Sequence, residues 1–220
     1  MTAQTRTSLA LAAALGAILW GLELRAHARA HAQAAIPVTG CIEAAIPAAA
    51  QAAPRGISNF GQVTPFLMRG GQPTTEGYRE LKQMGIDTVV SFRHEKGENS
   101  MERRAVEAQG MSFVSLPWNA WDKPTDEEVS QFFALLAANR RGKIFVHCQQ
   151  GRDRTGVMVA LYRIAADHWC AASAVSEMKS YHYHHFWFPQ LQTYVENFPQ
   201  RLATDQGLAA AVGSPAPSPH

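Results

Sequence analysis

The run KIFVHCQQGRDRTGVMVALYRIAADHW, 143–169, constrains this chain more than any other stretch. Residues 143–148 form a continuous apolar segment around Ile144, Phe145 and Val146, which reads as a strand covered on both faces. Residues 156–169 are apolar on nearly every side and read as a helix buried all round. A buried strand feeding a buried helix leaves the residues between them only a tight loop, with backbone N–H groups turned inward at one spot. Such a loop is an anion nest, and the helix dipole adds positive potential at the same place.

The rest of the middle alternates in the same way. PFLMRG (65–70), DTVVSFR (87–93) and SFVSLP (112–117) read as strands. TTEGYRELKQMG (74–85) reads as a helix closed by Gly85, and ENSMERRAVEAQG (98–110) as one closed by Gly110. In TDEEVSQFFALLAANRR (125–141), Thr125 and Glu128 have capping-box spacing. Further helices are expected near 171–180 and 189–203. Strands alternating with helices predict an α/β fold with a central, mainly parallel sheet flanked by helices.

The ends differ in character. Arg6, the apolar run 8–24 and the small-residue stretch RAHARAHAQA follow the order of a secretory signal. Residues 1–34 are therefore expected to be a signal peptide or N-terminal anchor, with export to the periplasm. The alternative is a protein anchored in a membrane by residues 8–24, and only retention of that segment would imply a membrane partner. VTGC (38–41) resembles a lipoprotein processing site but lies far beyond the apolar run. Residues 35–55 read as an Ala/Pro-rich linker, 56–204 as one domain, and 205–220 as a disordered tail. A net charge of +2 without a long basic run argues against a nucleic-acid partner. Three cysteines, Cys41, Cys148 and Cys170, leave at least one thiol free and make no disulfide framework.

The loop itself is built for phosphorus chemistry. Cys148 lies in a field that favours thiolate over thiol. Arg154, six residues on, can fold back and offer a planar fork to two oxygens of a tetrahedral anion. Gln149, Gln150, Gly151, Arg152 and Asp153 complete the phosphate-binding cup, with Gly151 allowing the turn and Gly156 allowing a close approach of helix to strand. Attack by the thiolate would give a phosphocysteine, hydrolysed in a second step. The Thr155 hydroxyl is placed to stabilise the leaving thiolate, and His147 to fix the loop. No metal or other cofactor is required by this scheme, because Arg154 and the backbone supply the charge.

HCQQGRDRTG matches H-C-x-x-G-x-x-R-[ST]-G, and with RGGQP (69–73), VVSFR and SLPW the chain resembles the cysteine-dependent protein tyrosine phosphatase superfamily. The layout is similar to the compact dual-specificity-like phosphatases of bacteria and their plant and fungal relatives. The resemblance implies metal-free hydrolysis of a phosphorylated protein or small phosphoester, and a catalytic aspartate on a separate loop. Asp122 in WNAWDKP (118–124) is the first candidate for that acid and Asp153 the second. Asp126 is weaker, because an acidic residue in a first helical turn is favourable to the dipole anyway. The W-P-D pattern of the plainest tyrosine phosphatases is absent.

Other readings stay open at this stage. A rhodanese-like sulfurtransferase also presents a loop cysteine between strand and helix, although Arg154 and Thr155 argue against it. A phosphoinositide or inositol-phosphate phosphatase would use the same chemistry, although Gln149 and Gln150 are neutral. A non-catalytic phospho-binding module would not need the thiolate. Arg69 and Arg93 sit at strand ends, where they hold loops or form structural ion pairs. His182, His184 and His185 match no strong metal-ligand spacing; the segment YHYHHFWF reads as packed or rim aromatics that border the substrate entrance.

Overall fold

The computed structural model describes residues 40–45, 53–94, 96–139 and 142–213. The expected signal or anchor segment, 1–34, lies outside the described residues. The elements run β1 (Gly61–Gln62), β2 (Leu67–Gly70), α1 (Thr75–Gln83), β3 (Ile86–Ser91), α2 (Lys96–Glu107), β4 (Ser112–Ser115), α3 (Asp126–Ala138), β5 (Lys143–His147), α4 (Asp153–Ala165), α5 (Ala171–Ser180), α6 (Pro189–Glu196), α7 (Phe198–Thr204) and α8 (Gln206–Val212).

The strands form one sheet in the order β1-β2-β5-β3-β4. β5 pairs in parallel with β2 on one side and β3 on the other, and β3 pairs in parallel with β4. Only β1 is antiparallel, joined to β2 by a short hairpin. Side chains alternate across β5: Ile144 and Val146 join the core beneath α3–α8, while Phe145 joins a smaller core with Leu81, Val106 and Phe113. The register places Gly70 and Ser91 beside His147, so the ends of three parallel strands meet where the signature loop begins. β2 and β3 lead on to α1 and α2, which pack on the Phe145 face, whereas β5 leads to α4 on the other face, an arrangement that favours a crevice beyond the strand ends.

Local chemistry explains the helices that frame the crevice. Thr125 caps α3 by accepting from Glu128 N (3.2 Å), and Glu128 returns the bond to Thr125 N (2.7 Å). From Arg154 to Ile164, α4 is buried on every side, as its composition requires.

Four sequence expectations need correction. The sheet gains the two-residue β1, which is too short to show alternation in the sequence. The region 189–203 is two helices, because Pro199 has no N–H to continue the first, and the chain restarts at Phe198. The tail expected from 205 begins with α8, whose Asp205 cap accepts from Leu208 N and whose Leu208 and Val212 enter the core. Two apolar residues four apart, in an Ala-rich setting, were enough for a docked helix. Finally, the linker is tied down at Cys41, which forms a disulfide with Cys170 across 129 residues. Ile42 adds backbone bonds to His168 O and from Cys170 N. The thiol that a lipoprotein site would need is thus in the bridge, and Cys148 is the free cysteine among the described residues.

One buried ion pair fastens the helical side. Arg163 on α4 meets Glu177 on α5 (Nη2 to Oε1, 2.7 Å), donates to Asp167 and to Val63 O, and lies over the Trp169 ring. Burial pushes Arg163 down, but the two carboxylates outweigh it and hold the guanidinium above its ordinary value. Removing Glu177 would leave the buried Arg163 charge with Asp167 and Val63 O alone to compensate it. Glu177→Ala is expected to cost about 3–5 kcal/mol in urea unfolding, with the double change to methionine recovering a large part. A loss below about 1 kcal/mol would show that the pair does not hold α4 to α5.

Candidate active site

The loop from Cys148 to Arg152 turns at Gly151, whose φ of 69° is left-handed. A Cβ there would lie 2.3 Å from both Gly70 C and Gly70 O and 2.5 Å from Gly71 N. The loop therefore rests directly on the backbone of the RGGQP segment. Gln72 N completes the seam by donating to Gln149 O (3.2 Å). Gly156 behaves otherwise. A Cβ there would touch Met178 at an ordinary 3.6 Å, so the close approach expected of this glycine is not required.

Cys148 is 4% exposed and opens into a pocket of about 160 Å³. Its walls are His94, Asn119, Ala120, Trp121, Gln149, Gln150, Asp153, Arg154 and Phe188. Arg154 is held at the rim by donating from Nη1 to Phe92 O (3.1 Å), with His94 Nδ1 at 3.1 Å from the same nitrogen. Thr155 is fully buried, and its hydroxyl has no hydrogen-bond partner among the described residues.

Behind the loop, His147 is pinned at both ring nitrogens. Nδ1 lies 3.3 Å from Cys148 O and Nε2 lies 2.8 Å from Glu102 Oε1. Glu102 also accepts from Tyr78 Oη (2.8 Å) and Gln72 Nε2 (3.0 Å), while Gln72 Oε1 accepts from Arg93 (2.6 Å). Burial pushes the Glu102 carboxyl up, but the bonds from His147, Tyr78 and Gln72 prevail and hold it below the usual range. Arg93 thus does hold a loop, through Gln72. Arg69 holds another by donating to Gly151 O (2.9 Å).

The aspartates separate clearly. Asp153 lines the pocket, but its oxygens accept from His184 N and face His184 Nδ1, each at 2.9 Å. His184 Nε2 in turn lies 2.9 Å from Arg152 Nη1, so the Arg152 guanidinium engages the histidine while its backbone stays in the loop. Asp122 is exposed and bonded to Asn119, on the loop whose Asn119, Ala120 and Trp121 line the pocket. Asp126 is engaged with Arg201, away from the pocket.

Trp121 and Phe188 meet edge to face at 4.9 Å and form an aromatic wall at the mouth. Gln190 ties the two loops by donating to Ala120 O (3.3 Å) and Trp121 O (3.2 Å). Of the residues around the cup, Glu102, Tyr78 and His94 carried no signal of their own in the sequence, whereas Gln72, Asn119 and Phe188 lie in the RGGQP, WNAWDKP and YHYHHFWF segments that it marks. His184 was visible only as part of the aromatic and histidine cluster.

Residues 54–193 match the family described as "DSP-PTPase phosphatase fused to NAD+ Kinase". The chain is similar to the dual specificity protein phosphatase TpbA of Pseudomonas aeruginosa strain UCBPP-PA14, with 36% identity over 172 residues, 78% of this chain and 70% of that protein. The crystal structure of P. aeruginosa TpbA superposes with a TM-score of 0.59 at 27% identity, covering 76% of this chain and 96% of that one. The TpbA structure in complex with phosphotyrosine gives the same score at 26% identity and the same coverages.

The contrast between the two glycines is testable. Gly151→Ala should lower turnover of p-nitrophenyl phosphate by at least about 100-fold, the scale of losing one preorganised oxyanion donor. Gly156→Ala should stay within tenfold of the parent. Equal effects of the two changes would contradict the packing described.

Proposed function

Because the chain belongs to the dual-specificity-type, cysteine-dependent protein tyrosine phosphatases, we propose that it removes phosphate from phosphotyrosine-bearing proteins with Cys148 as nucleophile. The family's reaction is phosphomonoester hydrolysis through a phosphocysteine, and this chain is a phosphatase of that kind. One observation carries the finer reading: the buried free thiol of Cys148 shares a small pocket with Arg154, beneath the aromatic wall of Trp121 and Phe188. That wall suits a phenyl ring. The similarity to a protein solved with phosphotyrosine supports the same class of substrate.

In this reading, the Cys148 thiolate attacks phosphorus while the bond to the tyrosyl oxygen breaks. Arg154 and the N–H groups of the loop Gln149, Gln150, Gly151, Arg152 and Asp153 hold the phosphoryl oxygens throughout. Asp122 protonates the departing phenolate. Water then attacks the phosphocysteine, releasing inorganic phosphate, and the unpartnered Thr155 hydroxyl stabilises the returning thiolate. Asp153 has a different task, because its carboxylate is committed to His184 and so fixes the loop rim. No step draws on a metal.

The proposal extends to export. Its support is the signal-like order of residues 1–34 and the Cys41–Cys170 bridge, a bond that persists in oxidising compartments. Peptide mapping of the mature protein should place its N-terminus between Ala28 and Ile36, with Cys41 retained. A full-length chain in the cytosol would refute this.

For the chemistry, Cys148→Ser should abolish turnover of aryl phosphates and leave substrate binding largely intact. Asp122→Asn should cut turnover strongly for alkyl phosphates, by about 100-fold or more, and much less for a nitrophenyl ester, which leaves without a proton. Were Asp153→Asn to show that leaving-group dependence and Asp122→Asn not, the acid would lie in the loop itself.

A further inference from the structure

Arg69 is the penultimate residue of β2 and is 1% exposed. Its Nη2 donates to Gly151 O at 2.9 Å, and its guanidinium lies 3.9 Å from the centre of the Tyr181 ring. Nε and Nη1 have no hydrogen-bond partner among the described residues. The nearby carboxylate, Glu177, is bonded to Arg163. Burial accordingly pushes Arg69 below its ordinary value. A buried cation with so few partners costs several kcal/mol, and an apolar side chain of similar length would be cheaper for the fold alone.

The Gly151 carbonyl is held twice. Asn59, itself left-handed at φ 52°, donates Nδ2 to the same oxygen at 3.0 Å and also to Tyr181 O at 3.0 Å. In a trans peptide unit the C=O and the following N–H point in opposite directions. An oxygen anchored inward to Arg69 and Asn59 therefore turns the N–H of Arg152 outward, toward the cup. The left-handed Gly151 supplies the dihedral angle that this orientation needs.

We infer that Arg69, outside the signature loop, is a positioning residue that locks the Gly151–Arg152 peptide so that the Arg152 N–H faces the bound phosphoryl group. The inference rests on the phosphatase reading of the Cys148 loop. Arg69 touches no substrate in this scheme and acts through the peptide it holds. Asn59 is its partner in the lock, which explains why a left-handed asparagine precedes the sheet at this point.

The test uses the full chain, with orthovanadate as the oxyanion probe. Arg69→Met removes the donor and the charge while keeping the side-chain length. It should lower kcat/KM on p-nitrophenyl phosphate by about 100-fold and weaken orthovanadate inhibition by a similar factor. Its melting temperature should not fall, since a poorly paired buried charge has been removed. Arg69→Lys should recover part of both losses. An Arg69→Met protein that folds and binds orthovanadate as the parent does overturns the inference. Should Arg69→Met fail to fold, Asn59→Ala decides: weaker orthovanadate inhibition supports the lock, and unchanged inhibition overturns it. Failure of the phosphatase reading would look different, as a parent protein that neither turns over aryl phosphates nor binds orthovanadate.

Discussion

The seam between the signature loop and the RGGQP segment is the contact on which the site depends. Gly151 turns left-handed against the backbone of Gly70 and Gly71, with no room for a Cβ. Because Gly70 pairs beside His147, the sheet register itself delivers the two backbones to each other. The loop therefore owes its shape to the central strands more than to its own side chains. An anion cup made of backbone N–H groups has to be preorganised in this way, because mobile donors would reorganise as charge develops.

Charge is arranged in layers around that seam. Arg154 faces the pocket, His147 and Glu102 lie behind the loop, and Arg69 lies beneath it. The two guanidinium groups are each held by a backbone carbonyl, Arg154 by Phe92 O and Arg69 by Gly151 O, so their field at Cys148 is fixed before any substrate arrives. Further out, Arg163 and Glu177 bind α4 to α5 and keep the helix that follows the loop in place. The rim is a separate system, in which His184 joins Asp153 to Arg152 and Gln190 joins the loop of Trp121 to the segment ending at Phe188.

Most of the fold was legible because its elements obey local rules. The apolar run 143–148, the all-apolar helix after it and the Thr125–Glu128 cap each signal themselves within a few residues. The loop that brings Cys148 and Arg154 to one pocket was legible for the same reason, its residues being consecutive. What escaped was non-local. Glu102 on α2 reaches His147 at the end of β5, His184 reaches Asp153 across 31 positions, and Cys41 meets Cys170 across 129. No spacing in the chain encodes such meetings. The helix at 206–212 escaped for another reason, since its anchoring residues Leu208 and Val212 are few among alanines.

In the proposed reaction the cup serves to let Cys148 take a phosphoryl group. The most direct measurement is rapid acid quenching of the protein during turnover of an aryl phosphate, followed by peptide mass spectrometry. The peptide containing Cys148 should carry the added mass of one phosphoryl group, and that peptide from Cys148→Ser none. Phosphate found on another residue, or turnover without any phosphorylated peptide, would contradict the proposed reaction.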